Sequence, residues 1–291
     1  MNPRGRPIPA LILAVMGIST AAVLVRLVPE VTPVSIAFWR TAAVALLLSP
    51  ALALTPPGRR FPQSPRLRWL TALAGLLLAA HFWAWFTSLQ HTTVLRSTIL
   101  VCLSPIWAAL FEWAFLGRAP GWRHGLGVAV AVAGIAVMSG GTLQASGQNL
   151  WMGDGLATLG GMLSAGYLVV GRAVRPHVDI GPYGSVLCAI TAAWLFIVAL
   201  ASDVDLLDIG RHEALVLAGM ALGPQLLGHI GLNYAVRYVP AAIVSSVVLL
   251  EPIGAAALAA LVLAEFPNAM EILGSVVVLG GLGVATIRSS R

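Results

Sequence analysis

The sequence predicts an all-α membrane protein of ten transmembrane helices, built as two inverted five-helix repeats, and three observations carry that prediction. Of the 291 residues, 58% are hydrophobic and only 10% charged, with a mean hydropathy of +0.90, whereas an ordinary soluble domain carries roughly 25% charged residues. The apolar residues gather into ten runs, each close to the roughly 20 residues a helix needs to cross a hydrocarbon layer about 30 Å thick. The two halves of the chain match at a fixed offset, with Pro105 falling on Pro252, Pro120 on Pro267, Gly127 on Gly274 and Gly134 on Gly281.

The expected spans are residues 9–28, 33–54, 69–89, 94–116, 122–139, 155–170, 180–201, 214–236, 241–264 and 269–287, each bounded by Pro, Gly or charge. Helices are expected rather than strands because the runs are long and unbroken, and a backbone in lipid must satisfy its own hydrogen bonds. The matches place a first repeat over residues 9–140, a linker over 141–152 and a second repeat over 153–288. All 17 basic residues are arginines, and 13 of them fall on one side if the spans alternate from a cytoplasmic N-terminus. That count predicts a multi-pass protein with both termini cytoplasmic, and the use of arginine without lysine alongside much Ala, Gly and Pro, as from a GC-rich bacterial genome, makes a bacterial inner membrane the expected location. Five helices per repeat is an odd number, so the second repeat enters the membrane inverted. Two half-structures of opposite orientation around a midplane site are the construction of secondary transporters.

Several functions are disfavoured. The net charge of +6 is read as topology, since no basic run exceeds Arg59-Arg60 and no nucleic-acid motif is present. Cys102 and Cys188 lie in apolar stretches without metal-ligand spacing, so neither a disulfide nor a metal site is expected. No phosphate-binding loop is present and no cofactor is called for. An intramembrane enzyme would need a nucleophile, a histidine and an oxyanion loop together, and no such set is found.

Polar groups within apolar spans are the candidate site, because a charge at the bilayer centre costs about 2.5–3.5 kcal/mol on insertion scales unless it faces protein or water. His81 lies midway along the third span and His229 on the eighth, its counterpart in the repeat, so both are candidates to bind substrate or relay protons. Each has the plainer alternative of a hydrogen-bonded packing histidine. Asn233 joins them on the eighth span. Trp83, Trp107 and Tyr167 are the expected aromatic walls, against the plainer reading of packing on lipid or neighbouring helices. Trp69, Trp122 and Trp151 fit interfacial belts. Glu251 is followed by Pro252, which removes a backbone hydrogen bond and can kink the ninth span, and Pro105 is its counterpart in the fourth. Arg40, about two turns into the second span, can hold a substrate carboxylate, snorkel outward or pair with Glu30. Pro105, Glu251, Pro252 and Arg40 are therefore the expected transport-cycle or hinge positions.

The segments Phe38-Trp39-Arg40-Thr41, Leu103-Ser104-Pro105-Ile106, Leu249-Leu250-Glu251-Pro252-Ile253 and Ala264-Glu265 resemble the drug/metabolite transporter superfamily, in its ten-helix branch of two EamA-type repeats. The chain looks most like the bacterial aromatic amino-acid exporters of that branch. The resemblance implies a central cavity with aromatic walls and a small-molecule substrate, with neutral or aromatic amino acids expected and a broader metabolite or drug exporter as the alternative. A lipid bilayer is then the expected environment, with a monomer as one option for the assembly. One departure stands out: Arg118 occupies the place of the acid that often closes the fourth helix, opposite Glu265.

Overall fold

A computed structural model of the protein describes residues 7–116, 121–140, 149–235 and 247–286. Among these residues seven helical segments are long and apolar enough to cross a membrane: α1 (Ile8–Arg26), α2 (Pro33–Leu54), α3 (Pro65–Ser88), α4 (Val94–Phe111), α6 (Leu150–Val174), α7 (Ile180–Ala201) and α8 (Arg211–Ala235). Three shorter apolar helices also occur among the described residues: α5 (Trp122–Met138), α9 (Glu251–Leu263) and α10 (Ala269–Ala285). No strand occurs among the described residues. Arg118 and Pro120 lie outside them.

Local sequence sets several helix starts. Thr32 and Ser64 each precede a proline in the first turn, and their side chains accept from the backbone N–H groups of Ser35 and Leu67. A proline there costs no hydrogen bond, because the first N–H groups of a helix have no intrahelical partner. The start of α6 differs from expectation. Asn149 caps Met152 N, so Leu150, Trp151 and Met152 are helical rather than the end of a linker.

Three segments are interrupted inside their apolar runs. In α4 the helix stops at Val101 and resumes at Ser104, with Pro105 in the first turn of the new piece. The ninth run has a turn at Leu249 and Leu250 before α9 begins on Glu251-Pro252. Glu251 is thus the first residue of a half-helix rather than a mid-helix residue beside a kink. In α8, residues Ala221–Ile230 form wider π-helical turns around Pro224, which accommodate a residue without an N–H.

The helices associate in pairs that span the two halves of the chain. The most extensive packing is between α5 and α10, α3 and α6, α2 and α7, and α1 and α8, with a smaller contact between α4 and α9. Glycines allow the closest of these. A Cβ at Gly127 would lie 2.5 Å from the Gly281 carbonyl oxygen, and one at Gly134 would lie 2.8 Å from that of Gly274. The glycines matched by the offset therefore face each other crosswise along α5 and α10. In an apolar solvent close backbone approach of this kind is a main source of helix association. Trp69, Trp122 and Trp151 are exposed near helix ends.

Gly281→Ala is expected to destabilise the protein by about 1–3 kcal/mol, since the backbone atoms it would meet must move. Gly280→Ala, whose methyl would meet nothing within 4 Å, is expected to leave stability unchanged. Thermal unfolding of both variants in detergent checks the pair.

Candidate functional site

The interruptions in α4 and before α9 border one cavity of about 630 Å3 at the centre of the bundle. Cys102, Ser104 and Pro105 reach it from the break in α4, and Val248, Leu249 and Glu251 from the break before α9. Wherever a helix stops within an apolar bundle, its end groups need a polar or enclosed setting, and lining a cavity supplies one.

Two further walls come from helices with a stripe of cavity-facing residues. On α3 these are His81 and Trp85, four residues apart and so on one face of the helix. On α6 they include Ser164, Tyr167, Leu168 and Gly171, again at spacings of three and four. His229 and Asn233 of α8 close the group with the same spacing.

His81 is buried, and its Nδ1 lies 2.8 Å from the Gly160 carbonyl oxygen. A carbonyl can only accept, so Nδ1 carries the proton and Nε2 is left as the second ring nitrogen. The imidazole stacks on Trp85 at 5.7 Å between ring centres and meets the His229 ring edge-on at 6.3 Å. His229 Nδ1 lies 3.3 Å from the Tyr167 hydroxyl. The indole Nε1 of Trp85 is buried without a hydrogen-bond partner among the described residues. Glu251 is buried with its residue at the cavity wall. The result is a mostly apolar chamber with aromatic faces and a few convergent polar groups, the usual composition of a site for small amphipathic molecules.

The expected site residues divide into two sets. His81, Tyr167, His229, Asn233, Pro105 and Glu251 meet at the cavity. Trp83 does not: it is 42% exposed on the outer surface of the bundle, because two residues from His81 turns a helical side chain to a different face. Trp107 is partly buried against the core without lining the cavity. Pro252 starts the α9 half-helix but is not among the lining residues. Arg40 is fully buried behind the wall, neither snorkelling nor pairing with Glu30. It donates to Gln225 Oε1 at 2.7 Å and lies 4.3 Å over the Phe82 ring. Trp85 holds the wall position expected of Trp83. Its four-residue spacing from His81 was the available signal.

The cavity extends toward one end of the bundle, where Arg59, Arg172, Arg175 and Tyr183 line its mouth. Arg175 donates to the Val178 carbonyl and packs over Tyr183. At the same end Arg59 Nε donates to Asp179 Oδ1 at 3.0 Å.

Comparison with known proteins identifies the fold. The EamA-like transporter family matches residues 6–140 and again residues 151–287. The chain belongs to that family, within the drug/metabolite transporter superfamily. It is thus a multi-pass membrane transporter of a small-molecule substrate. A protein of Archaeoglobus fulgidus described as an uncharacterized transporter is 25% identical over 269 residues, covering 90% of each chain. A solved crystal structure with 19% identity covers 96% of both chains at a TM-score of 0.67, which speaks to the fold alone.

Trp85→Ala is expected to weaken substrate binding to this EamA-like transporter by about fivefold or more, since an aromatic contact contributes about 0.5–1.5 kcal/mol beyond its buried area. Trp83→Ala is expected to leave binding unchanged. Transport KM for both variants in reconstituted vesicles is the check.

Proposed function

We propose that this transporter exports neutral, especially aromatic, amino acids by alternating access between two inverted five-helix repeats over residues 9–140 and 153–288. The observation that carries the reading is the cavity itself. It places Trp85, Tyr167 and two imidazoles around a volume of about 630 Å3, with one carboxylate, Glu251, at its wall. The ring of an aromatic amino acid can stack on the indole or phenol face. The Glu251 carboxylate can accept N–H donors from the substrate ammonium, a charge-assisted pairing. The hydroxyls of Ser104 and Ser164, also at the wall, offer donors to a substrate carboxylate. Pro105, Pro252 and Arg40 then act in the cycle through the half-helices and the wall rather than on cargo.

The inverted arrangement finds support in the helix pairs. Moving each helix five places along the chain turns α1 with α8 into α6 with α3. The same shift leaves α2 with α7, α4 with α9, and α5 with α10 as they were. A pairing scheme that maps onto itself suits two equivalent halves able to exchange conformations. The arginine-rich mouth suits a cytoplasmic face in a bacterial inner membrane, with both termini on that side. Loading from that face is the step an exporter requires.

The test is purified protein in liposomes, loaded with one labelled amino acid at a time. Saturable flux of phenylalanine or tryptophan is expected, and Glu251→Gln is expected to lower it by about tenfold, in line with loss of one charge-assisted hydrogen bond of about 1.5–3 kcal/mol. Flux of no amino acid would end the amino-acid reading. Equal competition by unrelated drugs and metabolites would move it to the broader exporter.

A further inference from the structure

The end of the bundle opposite the arginine-lined mouth is closed by a network of charged and polar groups that ties one half of the chain to the other. Arg96 and Asp154 form a buried ion pair through Nη2 and Oδ2. Arg96 Nε also donates to Asp154 Oδ1 at 3.2 Å, and Nη1 donates to the Met138 carbonyl at 2.8 Å. Thr92 Oγ1 donates to Asp154 Oδ1 at 3.1 Å. Arg26 Nη2 lies 3.4 Å from Glu265 Oε2 and donates to the Thr92 carbonyl at 2.8 Å. Val94 N donates to Glu265 Oε1 at 2.6 Å, and Thr93 Oγ1 to Glu271 Oε1 at 3.2 Å.

The partners are divided by half. Arg26, Thr92, Thr93, Val94, Arg96 and Met138 belong to α1, the α3–α4 turn, α4 and α5. All three acids, Asp154, Glu265 and Glu271, come from α6, from the end of α9 and from α10. Glu265 is presented by a turn in which Ala264 adopts φ 52°, the left-handed region that disfavours a side chain. Such a conformation persists where the surrounding contacts hold it.

The two ends are unequal. At the mouth, Arg59 pairs with Asp179 across the halves, and their side chains are 49% and 31% exposed. Arg96 and Asp154 are 2% and 12% exposed at the closed end. Exposed pairs contribute little to stability, whereas breaking a buried one leaves an uncompensated charge. Sequence adds to the asymmetry, since the offset that carries Gly134 to Gly281 also carries Arg118 to Glu265.

We propose that Arg26, Arg96, Asp154, Glu265 and Glu271 form an ionic latch that holds this end shut and biases the resting transporter toward the state open at the arginine-lined mouth. The inference rests on the alternating-access reading. Opening the opposite end requires the network to separate, so weakening it shifts the population toward the opposite-facing state. A change at the latch therefore alters which side the cavity opens to, while the groups that touch substrate stay in place.

Leu168 lines the cavity and is 37% exposed, so Leu168→Cys in a Cys102→Ala, Cys188→Ala background provides the probe, since an accessible thiol is needed for reaction. A membrane-impermeant charged maleimide is added to right-side-out or inverted vesicles, and the two labelling rates give a ratio. Glu265→Gln, and separately Arg26→Gln, should move that ratio about tenfold toward the face bearing Glu265, equivalent to about 1.4 kcal/mol. A ratio unchanged in a variant that folds and still transports would overturn the latch while leaving the transport reading intact. Equal, fast labelling from both sides in the Leu168→Cys parent would indicate a continuous pore and overturn alternating access and the latch together.

Discussion

The structure turns on the interruption of two apolar helical runs at the centre of the bundle. A helix that stops inside hydrocarbon leaves carbonyl and N–H groups without partners, a penalty of several kcal/mol per group in lipid. The breaks at Cys102–Leu103 and Leu249–Leu250 are therefore tolerated only where protein and a cavity surround them. Everything else in the site follows from that placement. The stripes of α3, α6 and α8 face the breaks, and the stretches of α5 and α10 away from them pack glycine against backbone as a continuous support.

Helix pairing links this centre to the two ends. The pairs α3 with α6 and α1 with α8 carry the histidine and tyrosine walls of the chamber, and their far ends carry Arg26 and Asp154 in the ionic network. A tilt of one pair against the other can change both the mouth and the closed end. The His81 imidazole is held by the Gly160 carbonyl, the Trp85 indole stacks on that imidazole, and the Arg40 guanidinium behind Phe82 is held by Gln225, so the chamber presents a set geometry to whatever enters it.

Much of the fold was legible because lipid imposes length and apolarity on every crossing segment, and Ile180–Ala201 has the bounds the run itself suggests. Faces were harder to read. In a water-soluble helix a polar stripe marks the outside, but in a bilayer both the lipid and the core side are apolar, so apolar periodicity alone does not distinguish Trp83 from Trp85, and only the four-residue spacing from the polar His81 does. Polar residues retained their signal, which is why His81, His229, Asn233 and Glu251 could be placed near one another from sequence. Arg96 sits near a span end, a position that suits a loop arginine, and only the fold brings Asp154 to it. The break in α4 was hidden for a related reason: Pro105 is compatible with an unbroken helix until the chain around Cys102 is seen to turn.

The central claim, that an aromatic amino acid occupies this chamber, is tested most directly by photo-crosslinking. A benzophenone analogue of phenylalanine is irradiated with the purified transporter, and the adducts are mapped by mass spectrometry. The account predicts adducts on α3 around Trp85 and on α6 around Tyr167, suppressed by excess phenylalanine. Adducts confined to the outer surface around Trp83, or insensitive to phenylalanine, would contradict it.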